Sequence, residues 1–127
     1  MAEGLLRSVA PEGANISSAG IGALVGEPAD PIAVHLMQDR GIDISGHRAR
    51  QLTPEIVRDA DLILVMEKKH VQAVNSISPG AWGKIHEIGK WIDAEVPDPY
   101  RKSPEYFKQV LELLEQGVET WSKKIWR

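Results

Sequence analysis

The chain has 127 residues, 43% hydrophobic and 26% charged, which suits one packed domain and excludes disordered, collagen-like and low-complexity classes. Its 15 basic and 18 acidic residues leave a net charge of −3, the opposite sign to a phosphate-backbone binder, so no nucleic-acid partner is expected. Cysteine is absent, which removes disulfides, thiolate metal sites and a cysteine nucleophile from within these residues.

The elements are expected as follows, within a single domain over residues 1–127. The first nine residues place Ala2, Leu5, Leu6 and Val9 on one side of a helix. A weak strand is predicted over 15–19, running into the glycine-rich stretch Gly20, Gly22, Gly26. Asp30-Pro31 supplies an N-cap with proline in the first helical position. It predicts a helix over 31–40 that buries Ile32, Leu36 and Met37 and stops at Gly41. Thr53-Pro54 repeats the signal for a short helix ending near Asp59. Leu62-Ile63-Leu64-Val65-Met66 is apolar on both faces, as a central parallel strand covered by helices would be. It is also the longest apolar run. A span needs roughly 18 residues, so no membrane insertion is expected. No secretory leader is recognisable, and the expected location is cytoplasmic.

Glu67-Lys68-Lys69 reads as a solvated face. A helix over 68–76 is expected to end before Pro79-Gly80, and 84–88 reads as a shorter strand. Ser103-Pro104 caps the last helix, where Phe107, Val110, Leu111, Leu114, Val118, Trp121 and Ile125 recur at helical spacing. Strands alternating with helices imply an α/β fold with a parallel sheet.

Three segments carry groups that can do chemistry. Val96-Pro97-Asp98-Pro99-Tyr100 holds a carboxylate between two prolines that restrict the backbone on either side. Such an acid is preorganised for proton transfer, and an adjoining ring would desolvate it; the plain alternative is an Asp-Pro turn. His47-Arg48-Ala49-Arg50-Gln51 concentrates donors beside Gly46, enough to bind an anion or brace a loop; the plain alternative, favoured on these residues alone, is an exposed basic turn. The glycine-rich stretch 20–26 lacks both the dinucleotide fingerprint and the Walker lysine. The four histidines have no metal-ligand spacing, so neither a metal nor another cofactor is expected.

Taken in order, Ser18-Ala19-Gly20, Ala29-Asp30-Pro31, Gly41-Ile42, His47-x-Ala49-Arg50-Gln51, the Asp61-Leu62-Ile63-Leu64-Val65-Met66 run and Pro97-Asp98-Pro99-Tyr100 resemble the low-molecular-weight protein tyrosine phosphatases. The resemblance runs from Met1 to the last helix. Residues 22–26 and 98–103 are most similar to the bacterial branch associated with exopolysaccharide export. The resemblance implies a flavodoxin-like parallel sheet flanked by helices. It also implies phosphotyrosine hydrolysis through a cysteinyl-phosphate in a C-x5-R loop that binds phosphate or other oxyanions. It assigns Asp98 as general acid/base, Tyr100 as a wall beside the substrate ring, Ile21, Leu24 and Val25 as part of the rim, and His47 as support for the phosphate loop. The implied partner is a phosphotyrosine-containing protein such as a bacterial tyrosine kinase.

The same resemblance implies that the nucleophile, the phosphate-binding arginine and the first, interior strand precede a segment like Met1-Ala2-Glu3-Gly4. The 127 residues are therefore expected to be an N-terminally truncated domain, inactive as given. A non-catalytic phosphoprotein-binding or regulatory relic is the alternative reading. Arsenate reduction on the same fold needs several redox cysteines, and their absence argues against it. The absent strand would lie between 15–19 and 62–66, leaving these neighbours roughly 9–10 Å apart. An isolated monomer is accordingly expected not to hold the family fold.

Overall fold

The computed structural model describes residues 1–126. In chain order the elements are α1 (Ala2–Val9), α2 (Pro31–Gln38), α3 (Pro54–Asp59), β1 (Ile63–Val65), α4 (Lys68–Ile77), β2 (Ile85–Glu87) and α5 (Pro104–Ile125), with 3-10 turns at Trp82–Lys84 and Lys90–Ile92. Three helices begin with the same chemistry, a short polar cap followed by proline. Asp30 accepts from the Ile32 N–H at 2.8 Å, Thr53 from Ile56 at 3.3 Å and Ser103 from Tyr106 at 3.2 Å. Each cap satisfies an N–H that the helix itself cannot.

β1 and β2 are parallel, with Ile63 opposite Ile85 and Val65 opposite Glu87. Apolar groups cover both faces of this sheet. On one side α1, α2 and α5 contribute Leu5, Met37, Val110, Leu111, Leu114 and Trp121 to a core shared with Ile88 and Val96. On the other, Val57 of α3 and Val74 of α4 pack with Val65, Ala81 and Ile85. The result is an α/β fold with a parallel sheet flanked by helices. α5 comes close to the end of β2 at Gly117, where an added Cβ would lie 2.8 Å from the Ile88 carbonyl oxygen.

Several expectations need correction. Residues 15–19 form no strand; only the adjoining Gly20 makes a bridge, to Gln51. Side chains take its backbone acceptors. The Arg7 guanidinium donates to the Ile16 carbonyl at 2.6 and 3.1 Å, and Arg50 Nε donates to the Ser18 carbonyl at 2.8 Å. The Ser18 hydroxyl in turn donates to Glu3 at 2.7 Å. β1 is not a central strand among the described residues, because it pairs with β2 alone and leaves Ile63 and Leu64 only half-buried. It has not closed onto 15–19 to form a rearranged sheet.

α2 ends at Gln38 rather than Arg40. The Ile42 N–H donates to the Met37 carbonyl at 3.0 Å and the Gly41 N–H to the Gln38 carbonyl at 2.9 Å, with Gly41 at φ +74°. That paired closure needs a left-handed residue, which glycine adopts without a Cβ clash. Met37 and Ala33 are the buried residues of α2, whereas Ile32 and Leu36 are half-buried. Glu67 is not part of a solvated face: it caps α4 reciprocally with His70, whose Nδ1 accepts the Glu67 N–H at 3.2 Å.

Candidate active site

Asp98 lies just beyond the carboxyl ends of the two strands, where open α/β sheets bind ligands. The path that brings it there is short. After β2 the chain passes through the 3-10 turn at Lys90–Ile92, and the Val96 N–H then donates to the Met66 carbonyl at the end of β1, at 2.9 Å. Val96 itself is buried in the core. One residue earlier, Glu95 accepts the Lys68 N–H at the start of α4, at 2.7 Å. Two long-range bonds therefore fix the chain immediately before Pro97.

Past that anchor the loop is polar and open. Asp98 is exposed, and its Oδ1 accepts the Tyr100 N–H at 3.0 Å in a local turn. The Lys102 N–H closes back onto the Pro99 carbonyl at 2.9 Å. Tyr100 is 52% exposed, with the Arg101 guanidinium 5.2 Å from its ring centre. Arg101 has φ +63°, a left-handed conformation that costs a side-chain-bearing residue roughly 1–2 kcal/mol. The desolvation expected from the neighbouring ring is not provided, since Tyr100 faces Arg101 and Asp98 is open to solvent. A pocket of about 280 Å³ beside the anchor is lined by Lys68, Glu87, Gly89, Lys90, Asp93, Ala94 and Glu95. It does not include Asp98.

The second group of expected residues sits on another loop. Ile21, Leu24 and Val25 are 40%, 60% and 68% exposed. Their loop is clamped along the 48–52 segment. Gly20 and Leu52 bond through the Gly20 carbonyl at 2.8 Å, Gly20 donates to the Arg50 carbonyl at 2.9 Å, and Gly26 donates to the Ala49 carbonyl at 2.8 Å. The Gln51 side chain completes the clamp, accepting the Ala23 N–H at 3.1 Å and donating to the Ile21 carbonyl. Gln51 therefore braces the 20–26 loop, one of the roles open to its segment.

His47 is half-buried at the head of the same segment. Its N–H donates to the Ile44 carbonyl at 3.1 Å, and its carbonyl accepts from Arg48 at 2.7 Å. Its imidazole makes no hydrogen bond among the described residues. The structure thus joins Ile21, Leu24, Val25 and His47 in one unit and Asp98 with Tyr100 in another. No hydrogen bond or ion pair among the described residues links the two units. Glu95 and Glu67 escaped the sequence reading. Glu95 acts across 27 positions with no local signal, whereas Glu67 could have been read from an acid standing three residues before His70 at a helix start.

The profile of the low molecular weight phosphotyrosine protein phosphatases matches residues 1–127. The chain belongs to this family. It is 46% identical over 125 residues to the probable low molecular weight protein-tyrosine-phosphatase EpsP of Ralstonia nicotianae, covering 98% of this chain and 86% of that protein. The tyrosine phosphatase AmsI of Erwinia amylovora superposes with a TM-score of 0.95 at 42% identity, covering 99% of this chain and 83% of that one. Wzb of Vibrio vulnificus, solved in complex with benzylphosphonate, gives a TM-score of 0.93 at 38% identity, covering 98% and 88%. The family is one of protein tyrosine phosphatases, and the fold described above is theirs.

Proposed function

We propose that this domain hydrolyses phosphotyrosine in a partner protein, with Asp98 as the general acid/base. The observation that carries the reading is the double anchoring of Asp98's loop at the carboxyl end of the sheet in a chain of this family. In the first step a thiolate attacks phosphorus, forming an S–P bond as the P–O bond to the phenol breaks. Asp98 gives its proton to the departing phenolate. In the second, Asp98 takes a proton from water as the oxygen attacks phosphorus, releasing inorganic phosphate and the thiolate. Exposed Tyr100 and the Ile21, Leu24 and Val25 rim supply apolar surface for the substrate ring, and His47 supports the phosphate loop. The substrate is a phosphotyrosine-bearing protein such as a bacterial tyrosine kinase involved in exopolysaccharide export.

The thiolate is not among these 127 residues, which contain no cysteine. The nucleophile and phosphate-binding arginine belong to a C-x5-R segment outside them, and the 127-residue chain alone is inactive. The same absence favours a second reading for the chain as it stands, that of a non-catalytic binder of phosphoproteins. One experiment separates these readings. The chain is assayed alone and after N-terminal extension with a strand and C-x5-R loop. No turnover alone, and turnover of a phosphotyrosine peptide when extended, is expected. In the extended protein Asp98→Asn should slow cleavage by about 10²–10⁴, the usual worth of a general acid, while keeping an acceptor for the Tyr100 N–H. Extended protein with no turnover would favour the binding role, and an unchanged rate in Asp98→Asn would reduce Asp98 to a turn residue.

A further inference from the structure

We infer that the face formed by the 3-10 turn at Lys90–Ile92 and the last turns of α5 binds an acidic segment of a partner polypeptide. Its centre is Trp91, 46% exposed. The indole is held in place before any ligand arrives. It stands edge-on to Trp121, with centroids 5.7 Å apart and planes at 66°. Trp121 is buried, donates from Nε1 to the Glu87 carbonyl at 3.1 Å and lies against His86 at 5.6 Å. A fixed aromatic anchor of this kind loses little freedom on binding.

Two cations share that ring. Lys90 Nζ is 4.9 Å and Lys124 Nζ 4.7 Å from the Trp91 ring centre, so the ammoniums lie within about one Debye length (~10 Å) of each other. Among the described residues neither has a carboxylate at ion-pair distance. Lys90 reaches only His86 Nδ1, at 3.5 Å, which adds no negative charge. Lys123 beside them is already paired, with Glu119 at 3.5 Å. With neither ammonium held in an ion pair among the described residues, a carboxylate brought to the indole can bridge the two. A groove of about 480 Å³ bounded by Trp91, Thr120, Lys123 and Lys124 gives room for carboxylate side chains.

A peptide fits this face better than an anionic membrane. Glu87, Asp93 and Glu95 line the adjoining pocket that also contains Lys90. A flat anionic surface would press on those carboxylates, whereas a single side chain reaches past them.

The test titrates the 127-residue chain with a short glutamate-rich peptide, followed by the Trp91 indole resonance and tryptophan emission. A lysine-rich peptide and phosphatidylserine-containing vesicles serve as the other arms. Saturable binding that shifts Trp91 and weakens with salt is expected. Combining Lys90→Gln with Lys124→Gln should weaken it about tenfold, as two exposed charge pairs would. Both lysines are exposed, so circular dichroism should show the fold kept. Lys123→Gln should change affinity by less than about twofold, its charge being already paired. No saturable shift at Trp91, equal loss from Lys123→Gln, or binding to vesicles but not to the peptide would overturn the inference.

Discussion

Replacing Gly89 by alanine tests how tightly the path from β2 to Asp98 is packed. Gly89 has φ −87°, which alanine adopts freely, so only space opposes the change. An added Cβ would lie 1.8 Å from the Ala94 carbonyl oxygen and 2.9 Å from its carbon. Ordinary contact begins at 3.4 Å, so that carbonyl must retreat by roughly 1.6 Å. It cannot do so alone, because the Gly89 carbonyl accepts from Ile92 at 3.1 Å and from Ala94 at 3.2 Å. Overpacking against backbone costs about 1–3 kcal/mol, and a strained hydrogen bond about 1 kcal/mol more.

We therefore expect a loss of about 3 kcal/mol, which for a chain of this size lowers the melting temperature by roughly 10 °C. The disturbance should run forward to the anchor, so the Val96 amide should exchange faster with solvent. Gly83→Ala is the control. No atom lies within 4 Å of its added Cβ, and its φ is not left-handed, so it should be neutral or stabilising by up to about 1 kcal/mol. A Gly89→Ala protein melting within about 2 °C of the parent, with Val96 still protected, would refute the reasoning.

Val96→Ala removes two methyl groups from a site that is 1% exposed and should cost about 2 kcal/mol in a denaturant titration. A loss below about 0.5 kcal/mol would mean that the side chain is not part of the core. Gln51→Ala deletes both side-chain bonds to the rim loop; the Ala23 amide should lose protection while stability falls by only about 1 kcal/mol. Unchanged exchange at Ala23 would show the loop to be self-supporting. Acid stability should reflect two carboxylates held below their ordinary values. The Ser45 hydroxyl and N–H lower Asp43 from 3.8, and the Glu55 N–H with the Thr53 hydroxyl lowers Glu55 from 4.5. Groups depressed in the folded state contribute fully above their unfolded values and lose that contribution as pH falls through the lower, folded ones. The denaturation midpoint should therefore drop below about pH 4, less steeply in Asp43→Asn. An identical acid slope in that variant would exclude Asp43.

How far the fold could be read in advance follows the reach of each interaction. Asp30-Pro31, Thr53-Pro54 and Ser103-Pro104 mark helix starts correctly because a cap and its N–H lie two or three residues apart. β1 was legible from the unbroken apolar run Leu62 to Met66. The segment 15–19 was not, because its β-branched and small residues say nothing of the arginines that hold it. Arg7 and Arg50 come from 9 and 32 positions away. The 3-10 turn that carries Trp91 left no pattern in the chain, being too short for a period. At the candidate site, the Asp98 loop was legible from its prolines, whereas the rim expectation for Ile21, Leu24 and Val25 came only from the family resemblance. The Glu95 anchor was not legible, because it depends on which surfaces the fold places side by side.

Among the described residues, the loop that carries Asp98 is tied to the rest of the fold only at its two ends. Val96 fixes one end on Met66, and Ser103 fixes the other by capping α5. Between them no residue from 97 to 102 is buried. Contacts made there to a ligand are thus drawn from side chains on which folding scarcely depends. Apart from Asp98 and the two prolines that restrict its backbone, the three positions Tyr100, Arg101 and Lys102 act as an exchangeable cassette. New residues can be written into it, by natural drift or in a library, changing which phosphorylated sequence is preferred while the melting temperature stays where it was. Substrate preference in this scaffold is free to wander at a rate that core positions such as Val96 cannot follow.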